Sequence, residues 1–355
     1  MCEAISYDGC RIHNLAREMT SLEQIADAIR SCRFIKLRCS VLQVRMIMVA
    51  ARIYNRLVSA GYTATMNWLV LTLLSAFFLA TADTLTKRYL AHYRPGELVL
   101  VRFGVSGALL LPWLLLQPWP QLSMVFWGWM ALLLPLELLA MWLYMQAIRE
   151  SPLSLTLPYL AFTPVFVALT GFVFLGESVT RAGFAGIMLV VCGAWLLNVR
   201  TTQHAVGLSV LAPFRAIVRE RGSRLMLITA AIYSLTSVFG KGALLHVSPE
   251  FFGPFYFVTL GIASAVVFAS RDVRSWRALG RHPLAHLGVG VFMAAMVVTH
   301  FYAIEHIEVA YMIAVKRTSL LFGMLYGAWL FGEHGLGRHL AAGVLMILGV
   351  FLIVA

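Results

Sequence analysis

From about residue 66 onward the chain alternates long, nearly uninterrupted apolar runs with short polar breaks. A helix needs about 20 mostly apolar residues to cross a bilayer. Ten runs have that character: 68–90, 97–116, 124–147, 152–175, 182–199, 225–246, 251–270, 284–304, 308–331 and 339–355. They are too long for barrel strands and lack the period-two alternation such strands show. The pattern therefore predicts an all-α integral membrane protein with ten transmembrane helices.

The pattern also repeats. Lys87 and Pro95 recur as Lys241 and Pro249, each 154 residues on. Ala147-Ile148, Gly171, Gly176-Glu177 and Gly193 recur as Ala303-Ile304, Gly327, Gly332-Glu333 and Gly349, each 156 residues on. Such self-similarity marks a duplicated unit, here of five helices. Five is odd, so the first unit leaves the chain on the opposite side and the second must enter upside down. The expected architecture is two five-helix inverted repeats that meet at the midplane. The chain divides into an N-terminal extension (1–65), a first repeat (66–200), a basic connecting loop (201–224) and a second repeat (225–355).

Composition changes this picture little. The chain is 60% hydrophobic and 12% charged, whereas soluble domains are about half apolar and about a quarter charged. Its net charge of +12 belongs to loops, so it argues for anionic lipid and against nucleic acid as a partner. Arg88, Arg94, Arg149, Arg200, Arg215, Arg224, Arg271, Arg281 and Arg338 collect on one side of the expected topology, against little beyond Arg181 on the other. The rich side is expected to be cytoplasmic, with Met66 and Ala355 outside.

The first 65 residues differ from the rest. They hold four of the five cysteines (Cys2, Cys10, Cys32, Cys39), about a third of the basic residues and no long apolar run. Thr20 and Glu23 have capping-box spacing, so one reading is a basic helix lying on the membrane surface. The other is that translation starts at Met66, which leads straight into the first apolar run. No zinc spacing, disulfide framework, phosphate-binding loop, HExxH or nucleophile elbow occurs. The expectation is a non-enzymatic protein without cofactor, metal or ATP-driven step.

Two halves of five helices, each with a helix closing on Gly-Glu (FLGE to Glu177, LFGE to Glu333), resemble the EamA-type carriers of the drug/metabolite transporter superfamily. So does the stretch from Ala303 through AYMIAVKRTSLLFGMLYGAWLFGE. The resemblance covers 66–355 and implies multi-pass insertion in a bacterial inner membrane. It also implies secondary active transport, as a metabolite efflux carrier, of a small polar molecule such as an amino acid or organic anion. Protons or a counter-substrate would be its coupling partners. The alternative is a flippase for a lipid-linked or headgroup anion in envelope assembly.

Charges inside a membrane cost at least a few kcal/mol unless paired or wet, which marks them as functional. Lys316-Arg317 lies about four residues, or roughly 6 Å, from the centre of its run. The repeat mates Leu160 and Ala161 are neutral, so the fold alone does not require these charges. Adjacent side chains point about 100° apart, so one is expected to bind cargo and the other to pair with protein. Glu137, near the middle of the third run, is either that partner or a proton carrier. Tyr144, seven residues on, shares its face. Lysine is rare after Met66, occurring only as Lys87, Lys241 and Lys316, which adds Lys241 to the binding candidates. Tyr159, His300 and Tyr311 join them because the resemblance puts their helices around the cavity. Asp83 and Lys87, one helical turn apart, are expected to pair, and Arg102 to anchor at the membrane interface. Gly-Glu at 176–177 and 332–333 is expected to end helices, and Pro158 and Pro164 to kink the fourth.

Overall fold

The computed structural model describes residues 64–150, 159–198, 221–269, 281–331 and 336–354. The extension with Thr20 and Glu23, the connecting loop up to residue 220, Pro158 and Gly332-Glu333 lie outside these residues, while 221–224, expected in that loop, open a helix. Those described form eleven helices: α1 (Ala64–Tyr89), α2 (Pro95–Leu116, with a π turn at Val101–Val105), α3 (Met124–Glu150), α4 (Thr163–Leu175), α5 (Arg181–Asn198), α6 (Arg221–Leu244), α7 (Pro249–Ser264, continued by a π turn at Ala265–Ala269), α8 (Pro283–Ile304), α9 (Val309–Lys316), α10 (Ser319–Phe331) and α11 (Leu336–Val354). Several boundaries follow from single residues. Pro95, Pro164, Pro249 and Pro283 open their helices, where a missing N–H costs nothing because that donor has no partner within the helix. Gly176 closes α4 in the left-handed conformation, at φ 68°, with its N–H on the Phe172 carbonyl, as expected for a helix-ending glycine.

Among the described residues six helices are long and apolar enough to span a membrane: α1, α2, α3, α6, α7 and α8. Parts of α4, α5 and α11 are apolar but shorter. The fourth and ninth runs are not continuous helices. Each is interrupted by a tight turn, at Ala161-Phe162 and at Arg317-Thr318.

Packing follows the duplication. Exchanging one repeat for the other turns α1, α2, α3, α4 and α5 into α6, α7, α8, α9–α10 and α11. The contacts of α3 with α6 then become those of α8 with α1, and α4 with α6 becomes α10 with α1. The pairs α2–α7 and α5–α11 map onto themselves. At the α5–α11 crossing a Cβ on Gly186 would stand 2.7 Å from the Gly349 carbonyl, and one on Gly193 would stand 2.8 Å from that of Ala342. At the α2–α7 crossing a Cβ on Gly107 would stand 2.6 Å from the Phe257 carbonyl, and one on Gly261 would stand 2.9 Å from that of Phe103. In both crossings the higher number on one helix meets the lower on the other, so these repeat-mate helices run antiparallel. Gly107 and Gly261 are themselves repeat mates, as are Gly193 and Gly349. Small residues at these points let backbones touch, which is how helices gain packing energy in lipid.

A cationic helix break inside the bundle

The break between α9 and α10 places two cations, Lys316 and Arg317, side by side and partly buried. Arg317 N–H and Thr318 N–H turn back to the carbonyls of Ala314 and Val315, at 3.1 and 3.0 Å, and Thr318 then accepts from Leu321 N–H and Phe322 N–H. The break before α4 has the same bonds shifted by 156 residues: Phe162 N–H to Tyr159, then Val165 and Phe166 N–H to Phe162. The break is therefore a property of the duplicated fold, and only the second copy fills it with cations. Irregular backbone at membrane depth persists only where it is enclosed by protein or lines a wet cavity. The break also presents the N-terminus of α10, a positive dipole end.

Lys316 Nζ reaches back to α8, donating to Met296 Sδ at 3.2 Å and meeting His300 Nδ1 at 3.1 Å. His300 and Tyr144 are repeat mates on α8 and α3. Arg317 Nε and Thr318 Oγ1 are buried without a hydrogen-bond partner, and Thr318 is only 6% exposed. Among the described residues no carboxylate lies within 4.0 Å of Lys316 or Arg317. The expected Glu137 partner sits instead against the hydroxyls of Thr236 (α6) and Tyr256 (α7). Tyr144 is buried in α3. It shares the interior with Arg317, Asp83 and Arg102.

Asp83 takes a partner on the next helix that its spacing does not suggest. Its carboxylate accepts from Arg102 on α2, which also reaches Thr86 Oγ1 at 3.4 Å, while Lys87 is exposed. Arg102 is 3% exposed at the π turn of α2, and so is no interface anchor. A buried guanidinium gains more from a carboxylate than an exposed ammonium does. Its repeat mate is Tyr256, a pointer that the 154-residue offset held. Asp83→Asn is expected to destabilise the folded protein by about 3 kcal/mol. That is the low end for breaking a buried pair, because the Asp83 side chain remains 37% exposed. Unfolding by denaturant in detergent measures this, and adding Arg102→Gln to the same chain is expected to recover part of the loss.

The remaining candidates lie apart from this centre. Tyr159 packs edge-on against Trp195 of α5, with ring centroids 5.7 Å apart. The Tyr311 hydroxyl accepts Thr180 N–H at 2.8 Å, and its ring fills the space over Gly183. Lys241 forms an ion pair with Glu177 at 2.6 Å and donates to the Ile307 carbonyl at 2.7 Å. It also borders a cavity of ≈ 370 Å³ lined by Leu244, Leu245, His246, Val247 and Glu305. Burial holds the Glu305 carboxyl above its ordinary range; His306 pulls it down and Glu250 pushes it further up.

The model of the EamA-like transporter family matches residues 66–199 and again 221–355, the two halves of the duplication. Among individually curated proteins none matches. A solved structure described only as "Crystal structure of protein" is similar in fold, with a TM-score of 0.54 at 16% identity over 81% of this chain and 95% of that one.

Proposed function

The chain belongs to the EamA-like transporter family, and from that premise we propose that it is a secondary carrier exporting a small polar metabolite bearing a carboxylate or phosphate. An amino acid or another organic anion fits. One observation carries this reading. Lys316, Arg317 and Thr318 cluster at a helix break, and Arg317 Nε and Thr318 Oγ1 lack partners. Among the described residues Lys316 bonds to a thioether and an imidazole, while the carboxylates of Glu137 and Asp83 act on it from beyond ion-pair distance. Buried donors and cations without counter-charge are costly, and an anionic cargo relieves that cost while it is bound. Lys316 and Arg317 are assigned to the anion, His300 and Tyr144 to the walls of the site, and Glu137 to a proton or to a cationic group of the cargo.

In this reading the ten apolar runs are ten spans in inverted topology, and the antiparallel crossings of α2 with α7 and α5 with α11 support it. The described ends of the bundle also separate by charge. Arg88, Arg94, Arg221, Arg224 and Arg281 fall at one end, and Arg181 at the other, which supports an inner-membrane orientation with the first end cytoplasmic. Export is driven by a proton gradient or by exchange.

The test is counterflow in proteoliposomes with a panel of radiolabelled amino acids, organic acids and sugar phosphates. The expected result is saturable exchange of one anionic class. Exchange with none of them, together with stoichiometric copurifying lipid, would move the site to a lipid headgroup.

A further inference from the structure

At the end of the bundle that carries the α4–α5 and α8–α9 turns, the two repeats are tied by a compact set of bonds. Glu177, just past the α4 terminus of the first repeat, uses both oxygens on the second. Oε1 pairs with Lys241 Nζ of α6 at 2.6 Å, and Oε2 accepts Val309 N–H at the start of α9 at 2.8 Å. Lys241 closes the ring by donating to the Ile307 carbonyl in the same turn. Both side chains are 13% exposed. Two residues further along α9, Tyr311 accepts Thr180 N–H and lies on Gly183 at the start of α5. The opposite end offers a contrast among the described residues: Glu150 and Arg221 pair at 3.3 Å with the arginine 69% exposed, a pair of the kind worth at most about 1 kcal/mol.

The cavity bordered by Lys241 opens at this clamp, and Lys316 lies seven residues deeper along α9, about 10 Å at 1.5 Å per residue. A solute entering from this end meets the Glu177–Lys241 pair before it meets the cations.

We propose that Glu177 and Lys241 form a gate, an ion pair between repeats that shuts this end of the bundle and must part for cargo to pass. The proposal rests on the carrier reading above and assigns Lys241 to gating and not to cargo. Glu177 has two separable duties here. Its amide analogue still accepts Val309 N–H, so the cap on α9 survives Glu177→Gln while the charge attraction is lost. A mere helix cap would tolerate that change, and a gate would not.

The test is labelling, which needs no cargo. In the full chain with Cys2, Cys10, Cys32, Cys39 and Cys192 replaced by serine, a single thiol is placed by His300→Cys beside Lys316. A membrane-impermeant maleimide is then applied to each face of oriented vesicles. Glu177→Gln and Lys241→Met are each expected to speed labelling from the α8–α9 face about tenfold, equivalent to about 1.4 kcal/mol of lost closure. Lys241→Arg, which keeps a cation, is expected to stay slow. Labelling from the opposite face reports that each variant is folded.

Unchanged labelling from the α8–α9 face in both charge-removing variants overturns the gate, and counterflow by the unsubstituted chain then leaves the carrier intact. Faster labelling, in a protein that exchanges no solute in the panel, supports the gate and counts against the carrier.

Discussion

Lys316→Ala is expected to reduce saturable exchange about thirtyfold or more while the protein folds normally. Truncating a buried, hydrogen-bonded charge that meets an opposite charge costs about 2–5 kcal/mol, and each 1.4 kcal/mol is about tenfold. The loss should therefore run from about thirtyfold to several thousandfold, with the centre of that range above a hundred. The effect on stability has the opposite sign. Lys316 reaches Met296 and His300 but no carboxylate within 4.0 Å among the described residues. Removing it sheds a desolvated charge and breaks no ion pair. The apparent melting temperature of Lys316→Ala in detergent is therefore expected to match or exceed that of the parent. Lys316→Arg is not a conservative control, since the planar guanidinium is longer and fixed in geometry, and it should retain only part of the exchange. Full exchange by Lys316→Ala would remove Lys316 from the site and leave Arg317 as its only cation.

Much of the fold was legible because duplication is read by matching residues and needs no structural insight. The offset that pairs Gly193 with Gly349 also matches the packing, since the antiparallel α5–α11 contact sits on those glycines. The helix break was less legible. Hydropathy does not distinguish a continuous span from two short helices joined by a turn, so 152–175 and 308–331 read as single runs. Pro158 and Pro164 were the residues that hinted otherwise, and the second copy has Ala314 and Leu320 in their places.

Side-chain partners were the least legible feature. Asp83 has Lys87 one turn away in sequence, and nothing in that spacing announced Arg102, which reaches it from the next helix because burial sets the demand for a counter-charge. Likewise Lys241 lost the acid of its repeat mate, with Ser237 standing where the first half has Asp83, and found Glu177 in the other repeat. A Gly-Glu helix terminus gave no sign that its carboxylate would reach across the bundle. The sequence does explain why the charged centre is one-sided. Leu160, Ala161 and Tyr144 occupy the places of Lys316, Arg317 and His300, so two structurally equivalent breaks have unlike chemistry and only one carries cations.

Glu137→Gln is expected to uncouple transport from a pH gradient while leaving exchange nearly intact. Glu137 lies mid-way along α3 against the hydroxyls of Thr236 and Tyr256. No cation stands within 4.0 Å among the described residues. Hydroxyls lower the cost of an ionised carboxylate only in part, so the carrier reading has Glu137 take a proton or meet a cation at some point in the cycle. Glutamine keeps the shape and the hydrogen bonds and abolishes titration. If Glu137 carries the proton, inward proton movement can no longer accelerate cargo leaving, so net efflux under an outside-acid gradient should fall about tenfold, or about 1.4 kcal/mol of driving effect. Counterflow needs only cargo binding and reorientation, and should persist because Lys316 and Arg317 are untouched. A parallel fall in both processes would overturn the coupling role and put Glu137 on a cationic group of the cargo. The two outcomes separate because a proton is needed only when the carrier returns empty, whereas a cargo contact is needed on every crossing.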